Sequence, residues 1–156
     1  MNRSFTRIMI LAAAVAAASG CTEGKRPFRM VQFCLANTNE IPAFITLMRE
    51  IADEHQMSFY DRSSDTHQEL RSLRADNKNV PLNDRTVNVG AQYANDFSFG
   101  AGNLGMPTNQ IVIGFNGNNV NESRAFANSA VEKISRGWTV KEVAEGKGAF
   151  PLPDCD

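Results

Sequence analysis

The sequence predicts one α+β domain, in which a mostly antiparallel sheet of about four or five strands carries two main helices on one face. Apolar residues recur at helical spacing in two separate segments of the chain. Short apolar or alternating segments, which are typical of strands, lie before, between and after these two segments. The 156 residues also suffice to form one hydrophobic core.

The first predicted strand is Phe28 to Leu35, which is rich in aromatic and apolar residues. Residues 37–40 offer helix caps, and the clearest helix of the chain follows them. Its apolar stripe consists of Ile41, Phe44, Ile45, Met48, Ile51 and Ala52. A second strand is expected at Met57 to Asp61, and Ser64-Asp65 can cap a short second helix in which Leu70 and Leu73 face inward.

The middle of the chain alternates between polar loops and strands. Residues 76–84 are polar and predict a loop, whereas the alternation from Arg85 to Ala94 predicts a third strand. Asn95 to Asn109 is rich in glycine, asparagine and serine, so it is expected to be the longest irregular segment. Gln110 to Phe115 is then predicted as a strand, because it is largely β-branched and aromatic.

The second main helix is expected to begin at a cap on Asn119 and to end at Gly137. Its stripe consists of Phe126, Ala127, Ala130, Val131, Ile134 and Trp138. Thr139 to Ala144 alternates weakly and suits an edge strand. The resulting order of elements resembles a ferredoxin-like sandwich with one small helix added.

The first twenty residues have the three zones of a secretory signal peptide. Arg3 and Arg7 form a basic start, and the run from Ile8 to Ala18 contains no polar residue. A membrane-spanning helix needs about 20 apolar residues, so this shorter run predicts export followed by cleavage. Residues 1–20 are therefore assigned to the leader, 21–27 to a tether, and 28–156 to a single α+β domain.

Ala18-Ser19-Gly20-Cys21 is similar to the lipobox of bacterial lipoproteins. The resemblance implies cleavage before Cys21 and attachment of lipid, including palmitate, to that residue. Thr22 then implies delivery to the outer membrane, because lipoproteins kept at the inner membrane often carry aspartate there. The alternative is ordinary cleavage near Gly20, which leaves Cys21 as a plain thiol.

Composition argues against a nucleic-acid partner. Two of the 16 basic residues, Arg3 and Arg7, belong to the leader, which leaves 14 against 17 acidic residues and a net charge of −3. A weakly acidic chain without a basic run lacks the electrostatic footprint that nucleic acid requires.

Three cysteines are an odd number, which calls for an explanation in an exported protein. If Cys21 takes lipid, Cys34 and Cys155 remain as a pair, and thiols tend to pair in the oxidising periplasm. A Cys34–Cys155 disulfide is therefore predicted. The alternative is that Cys34 is a buried free thiol.

The motifs that could carry chemistry favour neither a cofactor nor a metal. Residues 100–105 match G-x-G-x-x-G by letters, but a strand rather than a helix is expected after them, so a flexible loop is the preferred interpretation. Asp61, Asp65 and His67 lack a recognised ligand spacing. His55 is expected to end the first helix, where a cation suits the helix dipole. No catalytic residue is assigned.

Recognition is the better candidate for function. Phe97 and Phe99 could anchor a partner from an exposed loop, although both could equally fill the core. The expected function is therefore non-catalytic binding of a protein at the cell envelope, and one version is an immunity protein against a periplasmic toxin. The alternative is an assembly or accessory lipoprotein that docks on a larger complex, and a periplasmic hydrolase ranks third.

Overall fold

The computed structural model describes residues 26–94 and 96–155, which form a six-stranded sheet and three α-helices. The helices are α1 (Ile41–Glu54), α2 (Ser63–Asp76) and α3 (Val120–Ser135). The strands are β1 (Arg29–Cys34), β2 (Ser58–Asp61), β3 (Asn88–Tyr93), β4 (Phe97–Gly102), β5 (Gln110–Gly117) and β6 (Lys141–Glu142). Their order is β2-β3-β4-β5-β1-β6, and all neighbours are antiparallel. The predicted α+β class is confirmed.

The sheet has more strands than the four or five that the sequence predicts, and β4 is the strand that was missed. It lies in the segment that was expected to be irregular, so that prediction is wrong for Phe97–Gly102. Its inward side chains are apolar, while glycine and serine occupy the outward positions. Glycine and serine are typical of loops, so the alternation of apolar and polar residues was not recognised as that of a strand. The ferredoxin-like arrangement is not confirmed, because β2 to β5 are neighbours in chain order and β1 is inserted between β5 and β6.

The hydrophobic core lies between α1, α3 and one face of the sheet, here called the inner face. The sheet contributes Val31, Phe33, Val89, Ala91, Phe99, Ala101, Ile111, Ile113 and Phe115. The two helices contribute Phe44, Met48, Ile51, Ala52, Phe126, Ala127, Ala130 and Ile134. Burial of each large apolar side chain contributes about 1.5–3 kcal/mol, so the two helical stripes predicted from the sequence stabilise the domain.

The ends of the main helices follow local sequence signals. His55 is the C-cap residue of α1, and its backbone N–H donates to the carbonyl of Ala52 at 3.2 Å. Asn119 caps α3, because its side-chain oxygen accepts from the backbone N–H groups of Asn121 and Glu122. Both boundaries agree with the predicted caps.

Helix α2 lies apart from the core, and it is longer than the short helix that was predicted. It has 14 residues, but Thr66 is its buried residue and Leu73 is 57% exposed. The expectation that Leu73 faces inward is therefore wrong. Asn88 of β3 donates to the Thr66 hydroxyl at 2.8 Å, which holds α2 by polar contacts. A helix held in this way needs no apolar stripe, so periodicity could not predict its length.

The face of the sheet opposite α1 and α3, here called the outer face, carries a row of glycines. Gly90, Gly100 and Gly114 are aligned across β3, β4 and β5. A Cβ atom added at Gly90 would lie 2.3 Å from the Tyr60 hydroxyl oxygen, so the tyrosine ring lies over this residue. A Cβ atom at Gly100 would meet nothing within 4 Å, which leaves the middle of the row open.

Trp138 connects the end of α3 to the start of α1. Its ring stacks on Phe33 with the centroids 5.4 Å apart, and its Nε1 donates to a carboxylate oxygen of Glu40 at 2.9 Å. The backbone N–H of Ala36 donates to the same oxygen at 3.0 Å. These two hydrogen bonds lower the pKa of Glu40 from its ordinary value of 4.5. The hydrogen bond from Trp138 has the larger effect on this pKa.

Glu40→Gln should therefore change the pH dependence of folding. A lowered pKa means that the ionised carboxylate stabilises the fold above its unfolded pKa, and this contribution disappears as the pH falls through the folded pKa. We expect the variant to melt below the wild-type protein at pH 7, and the difference to vanish as the pH falls well below 4.5. Trp138 fluorescence reports the melting, and a difference independent of pH would contradict this role of Glu40.

Candidate functional site

The predicted lipidation site, Cys21, lies outside the described residues, whereas the predicted disulfide is present. Cys34 and Cys155 are bonded, with their Cα atoms 5.4 Å apart. The bond joins the end of β1 to the C-terminal tail and confirms the pairing inferred from the cysteine count. Among residues 26–94 and 96–155, no helix is long and apolar enough to cross a membrane.

A pair of buried glutamines holds the C-terminal tail on the outer face beside this disulfide. Gln110 Nε2 donates to the carbonyl of Phe150 at 2.9 Å and to Gln32 Oε1 at 3.2 Å. Its own Oε1 accepts from the backbone N–H of Leu152 at 2.8 Å, and Leu152 is 5% exposed. The tail is thus fastened by side-chain hydrogen bonds as well as by the covalent bond.

The structure does not bring the candidate metal ligands together. Asp61 accepts from the backbone N–H of Ser63 at 2.9 Å, and Asp65 lies in the first turn of α2. His67 Nδ1 is hydrogen-bonded to the Thr86 hydroxyl at 2.9 Å. In the part of the chain that the structure describes, no group of three or more histidine, cysteine or acidic side chains is placed to hold a metal ion.

The glycine motif at residues 100–105 is part of the sheet and its turn. Gly100 and Gly102 belong to β4, and Gly105 occupies the left-handed region of the turn that follows, with φ +72°. Between them Asn103 is fully buried, where it donates to the carbonyls of Arg85 and Thr108 and accepts from the backbone N–H of Val87. β5 follows, so the motif lacks the helix that dinucleotide binding requires.

The two phenylalanines proposed as partner anchors behave differently. Phe99 is 1% exposed and belongs to the core, so its proposed role as an anchor is wrong. Phe97 is partly buried and lies between the rings of Tyr93 and Phe126, at centroid distances of 5.0 and 4.9 Å. This row of three rings ends in Tyr93, which is 37% exposed.

The aromatic row forms the floor of a cleft between the end of α1 and the start of α3, here called the helix-end cleft. It has a volume of about 490 Å³. The lining residues are Glu54, His55, Gln56, Tyr93, Phe97, Glu122, Ala125 and Phe126. The His55 ring meets Phe126 edge-on at 4.9 Å. Sequence analysis placed His55 at a helix end but could not see that the ring lies in a cleft.

The helix-end cleft has acidic side chains at its rim. Glu122 lies in the first turn of α3, where a negative charge suits the helix dipole. Glu54 accepts a hydrogen bond from the Lys133 ammonium, which lowers the pKa of this carboxyl. Gln56, which also lines the cleft, has φ 54° and is thus held in the left-handed region that a non-glycine residue seldom adopts. The site therefore combines aromatic surface, anionic groups and a constrained backbone.

A second cavity, here called the outer-face cavity, lies where the chain enters the domain. It has a volume of about 440 Å³, and Arg26 and Asp96 place opposite charges in its lining. The other lining residues are Phe28, Gln92, Phe97, Ser98, Asn116, Gly117 and Asn118. Asn116 Oδ1 is buried and accepts no hydrogen bond from the described residues. An unpaired buried oxygen costs about 1–3 kcal/mol, and this oxygen is closed off from solvent, so the open cavity does not supply its partner.

Comparison with known protein families gives no match, and comparison with curated proteins gives none either. Fold alone would not specify function, so the two cavities and the fastened tail are the structural features that bear on it.

Removal of the disulfide should destabilise the domain without dismantling it. Cys34 and Cys155 are 121 residues apart, and removal of a native disulfide from a small exported domain typically costs about 2–5 kcal/mol. We expect the Cys34→Ser/Cys155→Ser variant to unfold at lower urea concentration by Trp138 fluorescence. The Gln110 hydrogen bonds should still hold the tail in the native state.

Cys21→Ser is the matched control, since it removes a cysteine outside the domain and should leave the urea midpoint unchanged. Thiol titration of the denatured, unreduced protein should detect neither Cys34 nor Cys155. Detection of either thiol would contradict the bridge in the exported protein.

Proposed function

We propose that this chain is a lipid-anchored binding protein of the bacterial cell envelope, without catalytic activity, whose partner is another protein. Cys21 would carry the lipid, and the domain would face the periplasm. The proposed destination is the outer membrane, because Thr22 rather than aspartate follows the lipidated cysteine. Multiple acyl chains hold a protein firmly, since each buried methylene contributes about 0.8 kcal/mol.

The helix-end cleft is the surface proposed to meet the partner, and the exposed end of its aromatic row is the observation that carries this proposal. Aromatic residues dominate the binding energy of protein interfaces, and Tyr93 presents part of a ring whose orientation is held by stacking on Phe97. The Glu122 carboxylate lies beside it, whereas Glu54 is already paired with Lys133. A basic side chain of the partner would suit this combination through charge and through contact with the ring.

An immunity protein against a periplasmic toxin is one version of this proposal, and an accessory lipoprotein of an envelope complex is the alternative. The same cleft serves both, because each requires a preformed surface on a rigid domain. They differ in genetics. An immunity protein should be dispensable once the gene of its toxin is deleted, whereas an accessory protein should co-purify with its complex.

A hydrolase is the third candidate, since His55 lies in the helix-end cleft. A general base must reach a nucleophile or a water molecule held near the substrate. Among the described residues that line this cleft, none is a serine, threonine or cysteine. The neighbouring Glu54 carboxylate already accepts a hydrogen bond from Lys133. These contacts favour binding over catalysis as the role of the cleft.

Cys21→Ser should release the mature protein from membranes into the soluble periplasmic fraction. Without the thiol, no lipid can be attached, and the remaining domain has no spanning helix among its described residues. Fractionation of cells that express the wild-type and variant chains measures the effect. If the variant is cleaved and still sediments with membranes, anchoring through Cys21 is wrong.

Tyr93→Ala combined with Glu122→Lys should abolish capture of the partner from periplasmic extract. Both changes alter the helix-end cleft, while the core residues beneath it remain. Leu73→Ser on α2 is the matched control, because Leu73 is also apolar and exposed but lies outside the cleft. Capture that survives in the cleft variant would exclude this surface, and an absence of any stoichiometric partner would contradict the proposed binding function.

A further inference from the structure

We infer that the outer face of the sheet rests on the phospholipid bilayer when Cys21 is anchored, with Phe28 and Phe150 in contact with the interface. The inference rests on the anchoring proposed above. It assigns the side of the domain that faces the membrane, which the lipobox alone does not determine. The helix-end cleft, which lies between the helices of the inner face, then remains accessible from the periplasm.

The first line of support is the point at which the chain enters the domain. Pro27 lies on the outer face, because a Cβ atom added at Gly114 would be 2.8 Å from its Cγ atom. Arg26 lines the outer-face cavity beside it. Five residue steps separate Cys21 from Arg26, and a fully extended chain of that length spans at most about 18 Å. The outer face is therefore the side that the anchor brings nearest to the membrane.

The second line of support is the exposure of aromatic rings on this face. Phe28 is 40% exposed and lines the outer-face cavity, and Tyr60 is 47% exposed above Gly90. Phe150 is 57% exposed, and its carbonyl is held on the outer face by Gln110. Tyrosine is enriched at the membrane–water interface, and phenylalanine is common on the apolar side of surfaces that lie in that interface. Three such rings on the face that receives the tether therefore fit a lipid surface.

The third line of support is the charge of the outer-face cavity. Arg26 and Asp96 place one cation and one anion in its lining. A phosphoethanolamine headgroup carries a phosphate and an ammonium. The phosphate suits the Arg26 guanidinium, and the ammonium suits the Asp96 carboxylate. The cavity thus matches a zwitterionic lipid surface better than a surface of one charge.

The test couples the mature, unlipidated chain through Cys21 to a maleimide-bearing phospholipid in vesicles of phosphatidylethanolamine and phosphatidylglycerol. Cys21 is the single reactive thiol, because Cys34 and Cys155 are bonded. The vesicles also contain a lipid with brominated acyl chains, which quenches a nearby tryptophan. In a Trp138→Phe background, one tryptophan is introduced by Phe28→Trp, by Phe150→Trp or by Thr46→Trp.

Phe28→Trp and Phe150→Trp should be quenched several-fold more than Thr46→Trp, which lies on the exposed side of α1 opposite its buried stripe. Equal quenching at all three positions, or none at any, would overturn the proposed orientation. Circular dichroism verifies that each variant is folded. Because the anchor is attached chemically, this result does not depend on lipidation in the cell, which the fractionation of Cys21→Ser tests separately.

A second measurement needs no substitution in the domain. Lys147 is exposed in a turn that lies against Arg26–Met30. Anchoring should slow acetylation of the Lys147 amine by a water-soluble reagent several-fold relative to the same coupled protein in detergent, as measured by mass spectrometry. An unchanged rate of acetylation would count against contact between this face and the bilayer, even if the tryptophan variants proved unstable.

Discussion

The attachment of the C-terminal tail to the outer face depends on hydrogen bonds to the buried side chain of Gln110. This residue is fully buried at the start of β5, opposite Cys34 in the register of β5 and β1. Its amide cannot reach water, so each polar atom requires a partner within the protein. The C-terminal tail supplies two of these partners, from Phe150 and Leu152. The tail that satisfies the amide also brings Cys155 to Cys34, so the hydrogen bonds and the disulfide specify the same chain path.

The elements that could be predicted from the sequence are those whose signal is local and periodic. The stripes of α1 and α3 have the helical period, and Asn119 and His55 lie at the helix ends where their chemistry is favourable. The disulfide could be predicted because an odd cysteine count, combined with one cysteine assigned to lipid, leaves one pair. Strand β4 could not be predicted, because its side facing away from the core carries Gly100 and Gly102, and glycine is more typical of loops.

The two cavities could not be predicted, because each gathers residues from segments far apart in the chain. The outer-face cavity combines Arg26 with Gln92, Ser98 and Asn116, which lie on the same side of three different strands. A signal was nevertheless present in β5, where Asn116 interrupts a largely apolar strand. Gln56, which lines the helix-end cleft, has a left-handed conformation that nothing in its residue type predicts. Tertiary packing, rather than local preference, determines both sites.

The position of β1 has a mechanical consequence if the chain is anchored at Cys21 as proposed. Tension applied at Cys21 enters the domain along β1, which is paired with β5 over its six residues and with β6 on the other side. Such a pull loads these hydrogen bonds together in shear instead of opening them one at a time. Cys34 is bonded to Cys155, so a force between the anchor and the C-terminal end would bypass the residues between these two cysteines. A force between the anchor and a partner on the helix-end cleft would instead cross the hydrogen bonds between β1 and β5, which makes that strand pair the part of the domain that bears the tension.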